Sequence, residues 1–354
     1  MARIKHHKVV SSLPAELEAD SVYYVRVGTG FDIYVTNGLG TLVSYELNTK
    51  PTYRNKLING DFRVWQRGTS LTVGQGTNHF LADRWKQWFG SDAGSGTISR
   101  IVRSPGRFAY SWQQTAAGSG AVPPQLRQTI ENVSTLAGQQ AVFSFDIRVT
   151  AGTPTLQLYF VQHFGTGETE GTILKPLPLA PSADVTVTKP MPVTLTSNWQ
   201  RVSVVVDIPS IAGQVVGTSG TDYLAAGWLA TNGETFTVEL ADVQIEASAV
   251  ATQFESRPIG LELTLCQRYY ETARFQWNGL VGVSHNIAFQ VPFRITKRAA
   301  PTVIQTNDGN PLNLSATPFA TAINTQGFLT VRDSTAAGQS QGAFAEFWTA
   351  DAEV

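Results

Sequence analysis

The sequence predicts an all-β protein with a small N-terminal β unit, a central β-sandwich and a second, smaller C-terminal β-sandwich. Three observations support this. Apolar and polar residues alternate with period two along many short segments, and helical periodicity is almost absent. Turns rich in Gly and Pro separate the segments. Only 15% of the 354 residues are charged, and Thr, Ser, Gln, Asn and 31 Gly take their place.

The N-terminal unit is predicted to span residues 1–50. Alternating segments at 21–27 and 31–36 flank a short glycine-containing turn, which indicates a hairpin. A third strand is predicted at 41–47, after a second turn. Three short strands are marginally stable alone, so this unit is expected to need a partner chain or a neighbouring domain.

The central sandwich is predicted to span residues 51–258. In the segment 140–149, Phe143, Phe145 and Ile147 alternate with polar residues, which is typical of a half-buried strand. Similar segments predict strands at 155–164, 201–208, 222–230 and 235–246. The region 165–191 contains several prolines and few large apolar residues, and is predicted to be a long loop.

The C-terminal region, residues 259–354, opens with a helix or mixed segment at 261–270. Four strand-like segments follow it, which indicates the smaller sandwich. They lie at 287–294, 302–306, 327–333 and 343–349.

Charge and cysteine content exclude several classes of function. Lys plus Arg total 26 and Asp plus Glu total 27, so neither a nucleic-acid-binding face nor a polybasic membrane contact is expected. No segment is apolar for long enough to be a membrane helix. Cys266 is the one cysteine, and we expect a buried thiol. The N-terminus lacks the pattern of a secretory signal, so synthesis in a cytoplasm is expected.

Enzyme motifs do not emerge from the sequence. Phosphate-binding loops, zinc-protease helices and nucleophile elbows are all missing, and the five histidines are scattered. A glycan-cleaving enzyme would need two carboxylates at a defined separation. Glu168 and Glu170, in the long loop, are the pair that looks exposed and close. Two such glutamates are more typical of a solvated surface, so no enzyme is predicted and no cofactor is expected.

Aromatic residues with polar neighbours are the candidates for ligand binding. Trp65 and Trp85 are expected in the core, whereas Trp88 lies beside a Gly-rich loop. An exposed ring flanked by amides and carboxylates suits sugar recognition, because the ring stacks on a pyranose and the polar groups bond its hydroxyls. One strand face, which either lines a groove or faces water, adds further residues. The carbohydrate-binding candidates are Trp88, Gln157, Tyr159, His163 and Trp228.

Motifs along nearly the whole chain resemble those of bacteriophage tail-fibre and receptor-binding proteins. They occur in the same order as in that family. They are 57–68 (LINGDFRVWQRG), 82–85 (ADRW), 164–167 (FGTG), 209–213 (PSIAG), 244–255 (QIEASAVATQFE), 257–260 (RPIG), 266–270 (CQRYY), 291–294 (VPFR), 300–303 (APTV), 348–353 (WTADAE) and the N-terminal segment 8–47.

The central region also resembles jelly-roll carbohydrate-binding modules of families 4, 9 and 22, through the segments 59–62 (NGDF) and 242–246 (DVQIE). This resemblance implies a jelly-roll fold and a structural calcium ion where the two segments meet, with Asp61 and Asp242 as the candidate ligands. Arg63 stands where that pattern has a carboxylate. We therefore expect Arg63 to replace the metal and to pair with Asp61 or Asp242.

Together the two resemblances imply a non-enzymatic virion protein that attaches to host surface polysaccharide. The fibre is expected to be a homotrimer, with residues 1–50 docking to other virion proteins and residues 259–354 forming the trimer or facing the receptor. The low charge predicts a surface that faces neutral glycans and other copies of the chain. The alternative is a head fibre, decoration or baseplate protein in which the sandwich is only a scaffold.

Overall fold

A computed structural model of the chain places its strands in five sheets, together with one helix, within the residues that it describes. The all-β prediction is confirmed. The described residues are 6–10, 12–27, 30–42, 53–74, 77–89, 95–115, 124–166, 182–230, 235–283, 285–315, 317–336, 338 and 340–353.

The N-terminal sheet contains β1 (His6–Val10), β2 (Ser21–Val27) and β3 (Gly30–Val35), in the order β1-β2-β3. The predicted hairpin is confirmed by the antiparallel register of β2 and β3. The described part of this sheet also contains β1, which was not predicted and pairs with β2 in parallel. Most of the predicted strand 41–47 lies outside the described residues.

The N-terminal sheet packs against the segment that follows the central sandwich. Its core of Tyr23, Val25 and Tyr34 is closed partly by Val250, which belongs to the segment after the last strand of the central sandwich. This contact supplies apolar surface that three short strands cannot bury among themselves.

The central region is a jelly-roll sandwich of two six-stranded sheets. We name the sheet with order β13-β10-β15-β8-β7-β4 sheet A, and the sheet with order β12-β11-β14-β9-β6-β5 sheet B. The chain crosses repeatedly between them. Their strands are β4 (Ser70–Val73), β5 (Thr77–His79), β6 (Lys86–Phe89), β7 (Gly96–Ser104), β8 (Arg107–Gln114), β9 (Gln125–Glu131), β10 (Gln140–Ala151), β11 (Leu156–His163), β12 (Val185–Pro190), β13 (Gln200–Asp207), β14 (Tyr223–Ala230) and β15 (Phe236–Ala247).

The core between sheets A and B is built from alternate residues of these strands. Phe143, Phe145 and Ile147 of β10 are fully buried there, as the alternation predicted. The five strands predicted for the central sandwich are confirmed, with ends that differ by at most about two residues. They are β10, β11, β13, β14 and β15. The prediction of a continuous loop over 165–191 was wrong, because β12 lies inside it; residues 167–181 are outside the described part of the chain.

The C-terminal region forms the predicted smaller sandwich. Its elements are α1 (Ile259–Gln267), β16 (Tyr270–Val281), β17 (Asn286–Pro292), β18 (Thr302–Asn307), β19 (Phe319–Thr321), β20 (Gly327–Asp333) and β21 (Ser340–Asp351). The sheets β16-β21-β18 and β17-β20-β19 face each other, and the rings of Phe328 and Trp348 meet edge to face at 5.4 Å. Cys266 of α1 is buried as expected, and burial raises the pKa of its thiol well above the ordinary value.

The contacts between the central and C-terminal sandwiches include two arginines of the central region. Arg84 pairs with Glu353 and stacks 3.4 Å from the ring centre of Tyr269. Arg67 stacks 3.5 Å from the ring centre of Tyr270. The domain boundaries at 50/51 and 258/259 stay predictions. No helix in the described part of the chain is long and apolar enough to cross a membrane.

Candidate functional site

The outer surface of sheet B is the candidate site, and we call it the polar face. Leu126, Leu158 and Trp228 of this sheet belong to the core, so the residues that alternate with them point away from it. The residues of the polar face that bear on function are Lys86, Trp88, Gln125, Arg127, Gln157, Tyr159, His163, Tyr223 and Leu229.

One cross-strand row of the polar face contains two of the residues predicted to bind carbohydrate. Trp88 of β6 pairs with Gln125 of β9, Gln125 with Leu229 of β14, and Leu229 with Gln157 of β11. Adjacent strands lie ~4.8 Å apart, so Trp88 and Gln157 are about 14 Å apart along this row. Gln157 is exposed, and Trp88 and Gln125 are partly exposed. The row thus offers an aromatic ring and two amides to a ligand that lies across the strands.

A second row holds the first in place. Tyr159 of β11 pairs with Gly227 of β14, and Gly227 pairs with Arg127 of β9. The Tyr159 ring crosses β14 at Gly227, and its hydroxyl donates to Oε1 of Gln125 at 2.7 Å. The positive charge of Arg127 acts on the same hydroxyl and opposes the rise of its pKa. Burial raises the pKa of Tyr159 to about 12, so the phenol keeps the proton that it donates.

Tyr159 itself does not offer its ring to a ligand. It is 4% exposed, so the prediction that it contacts a sugar is corrected to a positioning role for Gln125. The remaining candidate on this strand, His163, lies at the end of the polar face. Its Nδ1 is 2.8 Å from Oδ1 of Asp184, and its ring stacks on Tyr223 with centroids 4.6 Å apart.

Trp228 was predicted wrongly. It points to the opposite side of β14, is fully buried, and contacts Trp85, Phe143 and Phe145 in the sandwich core. A sugar has no access to it there. Trp65 and Trp85 are buried, as the sequence predicted.

The carboxylates suggested for calcium lie on the other side of the sandwich, in a cleft of about 870 Å³ at the outer surface of sheet A. Arg63 Nε is 2.5 Å from Asp61 Oδ2, which is one of the two pairings expected. Asp242 is held by Arg103, at 3.0 Å, and by Arg107. Burial raises the pKa of Asp61, and the charge of Arg63 opposes that rise.

The residues of this cleft do not fit a calcium ion. Calcium takes about six to eight oxygen ligands, and each of the two candidate carboxylates faces a guanidinium group instead. Among the residues placed by the structure, no group of three or more His, Cys, Asp or Glu side chains could hold a metal. The neighbouring Asp146 is likewise paired, with Arg103 and Arg201.

A cavity lies at the end of the sandwich, near the polar face. This apolar cavity has a volume of about 380 Å³ and opens beside Gln157, and its lining includes Leu156, Met191 and Leu195. The predicted carboxylate pair, Glu168 and Glu170, lies outside the described residues.

Comparison with known proteins adds the following. A scan against protein-family models and a search of curated proteins each found no match. Among solved structures, this chain is similar to a CBM4 structure at 16% identity and TM-score 0.30, over 54% of this chain and 98% of that chain. It is similar to the CBM22-1 xylan-binding domain of Xyn10C from Paenibacillus barcinonensis at 11% identity and TM-score 0.29, over 56% and 96%.

A third similar structure is an enzyme. The arabinose-bound α-L-arabinofuranosidase MgGH51 matches at 12% identity and TM-score 0.33, over 55% of this chain and 26% of that chain. At TM-scores this low, the similarities assign no function to this chain, and its fold follows from the strand order given above. That order and the polar face define the class of protein: a jelly-roll β-sandwich with an aromatic and amide surface on one sheet.

Proposed function

We propose that this protein binds glycans on the polar face of sheet B. The observation that carries the proposal is the single row of Trp88, Gln125 and Gln157 on the outer surface of the sheet. An indole ring offers a flat apolar surface to a sugar ring, and each amide both donates and accepts hydrogen bonds. Tyr159 supports the proposal because it fixes the orientation of Gln125.

We further propose that the chain is a virion fibre protein that attaches to host surface polysaccharide without cleaving it. This rests on the sequence motifs that resemble phage tail-fibre and receptor-binding proteins. In this proposal the chain forms a homotrimer, residues 1–50 attach to other virion proteins, and the chain reaches the virion after synthesis in the host cytoplasm. Several copies raise avidity by ~10²–10⁴, which compensates for weak individual sites.

The test of glycan binding is affinity electrophoresis of the full chain in gels that contain polysaccharide from the host surface. Trp88→Ala should abolish retardation. Trp199→Ala is the matched control, because Trp199 is also partly exposed but lies between Arg103 and Arg148, on the side of sheet A. Equal retardation of wild type and Trp88→Ala, or equal loss in both variants, would contradict a site on the polar face.

The attachment role has a separate test. Deletion of residues 1–50 should prevent incorporation into particles while the purified chain still binds polysaccharide. Particles that carry the truncated chain would refute the docking role. A chain that is present on particles but retains neither cells nor polysaccharide would support the alternative of a head fibre, decoration or baseplate scaffold.

A further inference from the structure

Two positively charged side chains stand next to each other on the polar face. Lys86 of β6 and Arg127 of β9 are directly opposite in the antiparallel register. They adjoin the Trp88–Gln125 pair, two residues along the same strands. Like charges that face each other across a strand pair destabilise a sheet, so this arrangement has a cost that the fold does not explain.

No acidic side chain in the described structure lies within ion-pair distance of either group. The acidic residue whose charge acts on Lys86 is Glu353, and it is already paired with Arg84. Across the sandwich, the outer surface of sheet A shows the opposite pattern. There each arginine of the sheet's outer surface has a carboxylate partner. These arginines are Arg103, Arg107, Arg148 and Arg201.

The two cations are also partly withdrawn from water. Both are partly buried, and burial, followed by the charge of Arg127, lowers the pKa of Lys86. Arg127 lies close enough to Tyr159 for its charge to act on the hydroxyl that donates to Gln125. Partly buried charge that has no carboxylate partner among the described residues, and that lies beside an aromatic ring, is typical of a binding site and not of a solvated surface.

We propose that Lys86 and Arg127 bind a carboxylate carried by the glycan on the polar face, so that the ligand is a polysaccharide containing uronic acids. Two residues along a strand span ~6.6 Å, which is close enough for one sugar residue to stack on Trp88 and place its carboxylate between the two cations. A planar guanidinium suits a carboxylate, and the ammonium group adds a second donor. This inference rests on the proposed glycan binding and names its substrate class.

The test compares acidic polysaccharides with their carboxyl-reduced, neutral forms. Polygalacturonate, alginate and hyaluronate are each placed in affinity gels beside the reduced polymer, with dextran sulfate as a general polyanion. The full chain should be retarded by at least one carboxylated polymer, about tenfold more weakly by its reduced form, and weakly by dextran sulfate. Lys86→Gln and Arg127→Gln should each lower affinity for the acidic polymer about tenfold, and Lys86→Gln should leave binding of the reduced polymer unaffected.

The control is Arg107→Gln, whose side chain is 57% exposed on the sheet A side, and it should bind like wild type. Circular dichroism confirms that each variant is folded. Equal binding of acidic and reduced polymers refutes the carboxylate site but leaves glycan binding intact. Retardation by dextran sulfate as strong as by the acidic polymers refutes the site as a general charge effect. Retardation by none of the acidic polymers also refutes the carboxylate site. The proposed glycan binding is then tested separately, by comparing wild type and Trp88→Ala in gels that contain host polysaccharide.

Discussion

Replacing Arg84 should destabilise the protein far more than replacing an exposed arginine that also forms an ion pair. The side chains of Arg84 and Glu353 are 1% and 3% exposed. Arg84 also donates to the Thr129 carbonyl at 2.6 Å and stacks on Tyr269. Removing one member of such a buried pair costs ~3–5 kcal/mol, because the other charge loses its main partner in the interior; Glu353 then keeps only the longer contact with Arg67, at 3.6 Å. The three contacts involve one side chain, so their contributions are not additive.

Arg84→Met should therefore lower the free energy of unfolding by ~3–5 kcal/mol. The matched control is Arg274→Met. Arg274 forms an ion pair with Asp308 at 2.5 Å, but the two side chains are 50% and 33% exposed. Exposed pairs contribute ~0–1 kcal/mol, since water solvates both charges and salt screens them. Guanidinium titrations followed by circular dichroism and tryptophan fluorescence measure both effects.

A double variant separates lost charge balance from lost packing. Arg84→Met combined with Glu353→Met should recover much of the stability, because no unpaired charge is left behind. A cost of Arg84→Met within about 1 kcal/mol of the Arg274→Met cost would refute the argument from burial. So would a double variant as unstable as Arg84→Met alone, because packing and not charge would then be responsible.

Two more predictions concern the polar face. Gly227→Ala should destabilise sheet B and weaken glycan binding, because the added Cβ would lie 2.1 Å from the Leu126 carbonyl oxygen. Thermal unfolding measures the loss of stability. The control is Gly260→Ala in helix α1, where nothing lies within 4 Å of the added Cβ; it should be neutral or stabilising by up to ~1 kcal/mol. Binding of a carboxylated polymer should weaken at alkaline pH, beginning below the ordinary lysine value of 10.5, because burial lowers the pKa of Lys86 and its charge is lost as the pH rises through that pKa. Lys86→Arg should remove this loss, since a guanidinium stays charged; an unchanged alkaline decline in binding titrations would contradict the role of Lys86.

The central strands that were predicted have mostly apolar inward residues. In β10, Phe143, Phe145 and Ile147 recur at every second position and enter the core. Strands β6 and β9 have the same geometry but a polar residue at an inward position. Gln87 donates to the Gln125 carbonyl at 3.0 Å, and Gln128 bonds the backbone of Ile58 at 2.7 Å. Because these buried amides interrupt the apolar alternation, hydrophobicity alone did not reveal those strands.

Alternation along a strand also predicted part of the candidate site. Alternation along β11 correctly grouped Gln157, Tyr159 and His163 on one face, since period two depends only on neighbours in the chain. It did not show that Tyr159 would be covered or that Trp228 would point inward. The pattern of β6 places Lys86 and Trp88 on one side, and that of β9 does so for Gln125 and Arg127, but neither strand was recognised.

Local patterns along the chain were sufficient to predict an all-β protein with a hairpin near its start and two sandwiches, because burial of alternate side chains is decided by near neighbours. Which polar residues meet was decided by the register between strands far apart in the sequence. Trp88 lies beside Gln125, and Lys86 lies beside Arg127, only because β6 and β9 pair. Backbone hydrogen bonds form between any residues, so no local pattern specifies that register. The surface proposed to bind acidic glycans is therefore a property of the tertiary structure.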